Sequence, residues 1–180
     1  MRSRARGRFA PVHPLAYDPV EASRSRWIAQ GWSDSASGMS AVASVMRAEQ
    51  IFRNRATAAL RPLGLTFARY QVLGMLRWGG SLTLGDVSKG LWITPPTVTN
   101  AIDRLESAGL SRRIPHPTDA RATLVEITEH GRTTFDRAVE TLNADLFGSV
   151  GLDDRELDVL VGIIGKLRAL EGDIVGELEQ

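Results

Sequence analysis

Thr94-Pro-Pro-Thr-Val-Thr-Asn-Ala-Ile-Asp-Arg-Leu-Glu-Ser-Ala-Gly-Leu110 has the pattern of a short helix with one buried face and one offered outward. Thr94 is placed to cap it, its hydroxyl accepting from a free backbone N–H of the first turn. Pro95 follows at the first helical position, where a missing N–H costs nothing. Val98, Ala101, Ile102, Leu105 and Ala108 recur at helical spacing as one apolar stripe. Gly109 supplies the left-handed backbone that closes many helices. The opposite face, entered through Pro95 and Pro96, shows Thr97, Thr99, Asn100, Asp103 and Arg104. Short hydroxyl and amide groups near the N-terminus, with an arginine one turn later, suit a helix laid into a DNA major groove. Taken alone, such a face is an ordinary solvated one. The flanking segments decide between the two.

Downstream, residues 110–115 and 122–127 are short apolar-alternating runs, the second strand-like in Thr-Leu-Val-Glu-Ile. Between them, His116-Pro-Thr-Asp-Ala-Arg121 marks a turn. Arg121 at the hairpin tip is placed to enter a minor groove, whose negative potential favours arginine. Asp119, two residues earlier, is placed to pair with its guanidinium. Upstream, residues 36–60 carry a helical stripe (Met39, Val42, Val45, Met46, Ile51, Phe52, Leu60) that Arg61-Pro-Leu-Gly64 ends. A second helix starts at Leu65-Thr66 and breaks at Gly79-Gly80. Ser81-Leu82 is a short first strand, and Thr83-Leu-Gly-Asp86 resembles a capping box with aspartate in place of glutamate. It opens a third helix carrying Leu84, Val87 and Leu91, and residues 90–93 turn into the helix quoted above. The fold class is mainly α with a small β-wing: a winged helix-turn-helix flanked by long N- and C-terminal helices.

Val98-Thr99-x-x-Ile102-x-x-Leu105-Glu106-x-x-Gly109-Leu110 is similar to the recognition helix of the MarR family, the multiple antibiotic resistance regulators. Leu110-Ser-Arg-Arg113, Asp119-Ala-Arg121, Leu124, Ile127-Thr128 and Gly131 resemble the wing of the same family. The resemblance covers residues 36–176. One departure matters: the position before Ala101, often arginine in the family, is Asn100, which reads adenine more naturally than guanine. The resemblance implies a homodimer paired through its first and last helices and reading a pseudo-palindromic double-stranded DNA operator. Half-sites would lie one helical turn, ~34 Å, apart. Residues 1–35 are then a basic, proline-containing N-terminal extension, 36–64 the first dimerisation helix, 65–128 the winged helix-turn-helix, and 129–180 the C-terminal dimerisation helices. The expected DNA-binding set is Pro95, Pro96, Thr97, Thr99, Asn100, Arg104, Arg113, Asp119 and Arg121. Thr97, Thr99 and Asn100 are read as base contacts and Arg104 as a phosphate clamp. The resemblance also implies a crevice for a small aromatic effector, commonly a phenolic or aromatic anion. Trp32, Met46, Phe67, Tyr70, Met75 and Trp78 are its candidate lining, although for any single one of them core is the favoured reading. No arginine or lysine stands out as a carboxylate clamp.

Composition bounds the reading. A chain of 180 residues, 43% hydrophobic, can bury a core. Twenty-two basic against twenty-one acidic residues leave a net charge of +1, so any nucleic-acid footprint is local. Residues 153–179 hold eight acids against three bases, and residues 1–34 six arginines against three acids. The acidic end is expected to face away from DNA and the basic segments towards it. The absence of cysteine excludes disulfides, thiolate zinc sites and cysteine redox sensing. No apolar run approaches a membrane span, and the arginine-rich start lacks the apolar segment of a secretory signal. The chain is therefore read as soluble and cytoplasmic, with no membrane partner. His13, His116 and His130 are too widely spaced to suggest a metal, and no other cofactor is expected. No glycine-rich phosphate loop, nucleophile elbow or His-Glu-x-x-His speaks for an enzyme.

Residues 1–20 alternate arginines and then hold Pro11, Pro14 and Pro19, giving either a phosphate-tracking arm or, the favoured reading, a solvated tail. Residues 20–31 form a short helix bearing Trp27 and Ile28. After the wing come a helix with Phe135, Ala138, Leu142, Leu146 and Phe147, and one opened by Leu152-Asp153 with Leu157, Leu160, Val161, Ile164, Leu167 and Leu170. Three long striped helices carry more apolar surface than one subunit covers, a second reason to expect a homodimer. The function read from the sequence is a DNA-binding transcription regulator, taken as a repressor. The rival is a winged-helix module for protein–protein contact, which would suit the low net charge and acidic C-terminal helix.

Overall fold

The computed structural model describes residues 15–119 and 121–173, so most of the arginine-rich arm and His13 lie outside the described residues. Elements run α1 (Pro19–Ala29), α2 (Ser33–Leu60), α3 (Phe67–Gly79), β1 (Leu82–Thr83), α4 (Leu84–Leu91), α5 (Pro95–Ser107), β2 (Ser111–Pro115), β3 (Thr123–Ile127), α6 (Glu129–Asp145) and α7 (Asp154–Leu170). Single 3-10 turns sit at Arg61–Leu63 and Phe147–Ser149. The chain separates into a unit ending at Ser149 and a second beginning at Val150. The expected helix at residues 36–60 starts earlier, at Ser33.

Local chemistry sets most boundaries. Asp18 caps α1 by accepting from the Val20 amide at 2.8 Å. Thr83 and Asp86 form the expected capping box, each carboxylate or hydroxyl oxygen accepting from the other residue's amide at 3.1 Å. The Thr83 hydroxyl also donates to that carboxylate at 2.6 Å, and these bonds hold the Asp86 carboxyl below the usual carboxylate range. Asp153 and Glu156 repeat the box at the start of α7. One capping expectation is corrected. Thr94 has the extended backbone of an N-cap, but its Oγ1 faces the Thr97 Oγ1 at 2.9 Å and caps no amide. Gly109 closes α5 as expected, with φ +69° and the Leu110 amide donating to the Leu105 carbonyl at 2.8 Å. Ala108, assigned to the apolar stripe, is exposed because it caps the helix instead of continuing it.

In the first unit, Val98, Ala101, Ile102 and Leu105 of α5 are buried against α3 and α4. Val72, Leu73 and Leu76 of α3, Val87 of α4 and Phe135 and Leu142 of α6 complete the centre of that core. The three strands are antiparallel in the order β1-β3-β2, with Leu82 opposite Val125 and Arg113 opposite Val125 on the other side. Arg55 of α2 ties the end of α6, its Nη2 donating to the carbonyls of Asp145 (2.7 Å) and Ser149 (3.1 Å). A cation among terminal carbonyls is favoured by their partial negative charge. In the second unit, α7 leaves Val159, Leu160, Val161, Ile163, Leu167 and Leu170 exposed. No described helix is long and apolar enough to cross a membrane.

The junction between α5 and α6 is closed by one hydroxyl. Thr128 Oγ1 donates to the Gly109 carbonyl at 2.7 Å and accepts from the Gly131 amide at 3.0 Å. The Thr128 amide donates to the Leu110 carbonyl at 3.1 Å. A Cβ at Gly131 would lie 2.0 Å from that Leu110 oxygen and 2.7 Å from Ile127 Cγ1. Backbone cannot yield as a side-chain tip can, so Gly131→Ala is expected to lower stability by at least the roughly 1–3 kcal/mol of an overpacked core. Urea denaturation of the variant against Gly90→Ala checks this. The added methyl at residue 90 meets only the flexible end of Met75 and should cost less.

Candidate nucleic-acid interface

The outer row of α5 stands clear of the core: Pro95, Pro96, Thr97, Asn100 and Arg104 are exposed, and Thr99 is half-buried. Thr99 Oγ1 donates to the Pro95 carbonyl at 3.0 Å, which leaves that hydroxyl only as an acceptor, beside its methyl group. Among the described residues, Arg104 makes no ion pair or hydrogen bond through its guanidinium. A free cation and an amide one turn apart, on a rigid helix, match the geometry of groove reading.

In the wing, β2 and β3 pair from Ser111 opposite Ile127 out to Pro115 opposite Thr123. His116 Nδ1 accepts from the amides of Thr118 (3.3 Å) and Asp119 (3.1 Å), which folds the tip back on itself. The expected Asp119–Arg121 ion pair is not formed: Asp119 Oδ1 accepts from the Arg121 backbone amide at 2.9 Å. Asp119 therefore shapes the turn and leaves the exposed Arg121 guanidinium unpaired among the described residues.

Arg113, grouped with the DNA contacts on sequence, is committed inside the fold. Its Nη2 donates to Asp103 Oδ1 at 2.6 Å, its Nη1 to Glu106 Oε2, and its amide to Glu106 Oε1 at 3.1 Å. The Asp103 bond, opposed by partial burial and reinforced by Glu106, raises the guanidinium above its ordinary pKa. Asp103 and Glu106 sit one turn apart on the flank of α5, so Arg113 braces the helix against the wing. Arg112 is likewise paired, across the ladder, with Glu126 at 2.5 Å. That bond, with a smaller one from the Ser81 hydroxyl, lowers the Glu126 pKa. Trp92 was not singled out by sequence. It is 64% exposed in the turn before α5 and is the only non-glycine with positive φ (+49°) among the described residues.

A pocket of about 440 Å³ lies between α3, α4, β1 and α6. Of the candidate effector residues, Tyr70, Met75 and Trp78 line it, joined by Gly74, Leu91 and Phe135, among others that sequence did not flag. Phe135 stacks on Tyr70 at 5.2 Å and meets the edge of Trp78 at 5.2 Å. Burial pushes the Tyr70 phenol up. Three candidates fall elsewhere. Trp32 packs edge-on against Trp27 at 5.1 Å, Met46 is 62% exposed on α2, and Phe67 stacks behind Tyr70 at 5.8 Å. A helical stripe marks a face and does not say which neighbour that face meets.

The MarR family profile matches residues 63–122. A MarR family transcriptional regulator from Streptomyces coelicolor is 35% identical, with a TM-score of 0.71 over 77% of this chain and 98% of that one. Escherichia coli MarR is 31% identical over 87 residues, 48% of this chain, and the matched stretch spans only 60% of that relative's length. The structure of a point mutant of that protein in complex with operator DNA superposes with a TM-score of 0.65 at 26% identity, covering 68% of this chain and 89% of that one. Bordetella bronchiseptica BpsR, whose DNA binding is regulated by 6-hydroxynicotinic acid, is 29% identical with a TM-score of 0.64, covering 68% and 89%.

Two outcomes follow from the bracing. Arg113→Gln is expected to cost about 1 kcal/mol, since the carboxylates it meets are partly solvated. A double-mutant cycle with Asp103→Asn, read by urea unfolding, should show non-additive coupling of the two sites. Asp86 and Glu126 have folded pKa values below their unfolded ones. Their contribution is thus present above the ordinary carboxylate pKa and lost as pH falls through the folded value. Urea midpoints measured from about pH 6 to about pH 3 should fall less steeply in a variant carrying Asp86→Asn and Glu126→Gln.

Proposed function

This chain belongs to the MarR family, and we propose that it is a homodimeric transcription regulator, a repressor that occludes a promoter by binding a pseudo-palindromic double-stranded DNA operator. The observation that carries the reading is the pair of guanidiniums without an ion pair among the described residues, Arg104 on α5 and Arg121 on the wing, flanking the exposed Thr97 and Asn100. Asn100 and Thr97 read base edges, Thr99 offers an acceptor and a methyl group, and Arg104 clamps phosphate. Arg121 enters the minor groove from a tip that Asp119 shapes. Pro95 and Pro96 set the entry of α5, and Arg113 acts through α5 instead of on DNA.

The exposed apolar side chains of α2 (Val42, Val45, Met46) and of α7 are offered to a second copy. The pocket beside Tyr70 and Phe135 receives a small aromatic effector that changes operator affinity by favouring one arrangement of the winged units. Such a protein works where the DNA is, in the cytoplasm. Relatives described bound to or regulated on DNA favour this over a module for protein contact alone.

Binding of the purified protein to its own upstream intergenic DNA, read by fluorescence anisotropy with excess competitor at two salt concentrations, tests the reading. Tight, competitor-resistant and salt-sensitive binding is expected. Asn100→Ala should lose roughly 10–100-fold on the operator and little on competitor. Arg104→Ala should weaken both and reduce the salt slope by about one. Binding no stronger than that to competitor would refute operator recognition at that site.

A further inference from the structure

Trp92 is held in a conformation that its side chain disfavours. It ends α4 with φ +49° and ψ +47°, in the left-handed region where a bulky residue is an outlier. The turn around it is pinned. The Trp92 amide donates to the Lys89 carbonyl and the Ile93 amide to the Ser88 carbonyl, both at 3.2 Å. The Ser88 hydroxyl donates to the Ile93 carbonyl at 2.6 Å. Leu91 and Ile93 on either side pack against the core, while Trp92 between them is 64% exposed. A large apolar ring in water and a left-handed backbone are two costs at one residue, and glycine here would carry neither. Strain kept in a pinned turn points to a use outside the fold.

The position of the turn says what that use is. Two residues of chain place the Trp92 Cα within ~7 Å of the Thr94 Cα. Thr94, Pro95, Pro96 and Thr97 are all exposed and open α5, at the end of the helix proposed above to enter a groove. A helix N-terminus in a major groove has a sugar–phosphate strand beside it. An indole suits that edge: its apolar face packs on deoxyribose, and its one N–H donates to a phosphate oxygen. Resting on the DNA-binding reading, we propose that Trp92 contacts the sugar–phosphate backbone and seats the start of α5 in the groove without reading a base. Such a contact adds affinity but no sequence preference. Being uncharged, it releases no counterion.

The test titrates the unaltered protein, Trp92→Gly and Trp92→Asn against the upstream intergenic duplex and a shuffled duplex of equal length. Binding is read by fluorescence anisotropy at two salt concentrations, and each protein is unfolded in urea. Glycine and asparagine both accept the left-handed backbone, so the turn is kept. Both variants are expected to weaken both duplexes by a similar factor of at least about 10-fold, the scale of a hydrogen bond to a charged group. The salt slope should stay unchanged, and the urea midpoint of Trp92→Gly should not fall below that of the unaltered protein. Unchanged affinity in the variants overturns the proposal. So does a loss accompanied by lower urea midpoints in both variants, which marks a structural role, or a loss confined to the upstream duplex, which marks base reading. An unaltered protein that binds neither duplex overturns this inference together with the regulator reading. Equal binding to both duplexes, lost from both in the variants, sinks operator recognition alone.

Discussion

Everything that faces outward on α5 depends on how its far end is held. The Thr128 hydroxyl donates to the last left-handed residue of one helix, Gly109, and accepts from the first turn of the next, at Gly131. The Leu110 carbonyl and the Gly131 Cα are so close that no side chain fits between them. Arg113 adds a second restraint along the flank, through Asp103 and Glu106. Burial of Val98, Ile102 and Leu105 fixes the rotation of α5, since turning it would bring polar groups into the core. Junction and brace fix its position along the axis. The helix proposed to read a groove needs both, because base-edge contacts tolerate only small errors of register.

That division explains which features the sequence reveals. Pro95 at the first position, the stripe through Leu105, Gly109, and the boxes at Thr83–Asp86 and Asp153–Glu156 rest on partners within a few residues. For such features, spacing and geometry are nearly the same information. Arg113 is different. Its partners lie seven and ten residues back, across a helix end and a reversal of the chain, and its neighbour Arg112 turns to Glu126 on the facing strand. Strand alternation sends adjacent arginines to opposite sides, so a doublet that looks uniformly basic divides between two sets of carboxylates. Asp119 was misjudged for a related reason. At two residues' separation in a tight turn, the backbone amide of Arg121 is nearer than its guanidinium, and the Asx turn wins. The pocket was half legible. Tyr70, Met75 and Trp78 share one face of α3, but Phe135 reaches them from 57 residues beyond the last of the three, and only the packed fold brings it there.

Pairing also decides which arginines of a chain with net charge +1 are available at the surface. Arg55, Arg112 and Arg113 are each engaged by carbonyls or carboxylates, so they contribute structure more than long-range field. Arg104 on the helix and Arg121 on the wing are in none of these ion pairs among the described residues. Sequence-independent attraction to a nucleic acid grows with the number of phosphates neutralised, so cations held in ion pairs add little to it.

The placement of Phe135 connects the pocket mechanically to the end of α5 without a long chain of intermediates. Phe135 and Gly131 are on one α6 turn, so a displacement that moves the ring also bears on the amide held by Thr128. Because Gly131 has no slack against Leu110, a small shift of α6 must be transmitted or resisted; side-chain rearrangement at that point cannot absorb it. How far a molecule in the pocket would transmit such a shift depends on its differential affinity for the two positions of α5, not on how tightly it binds either.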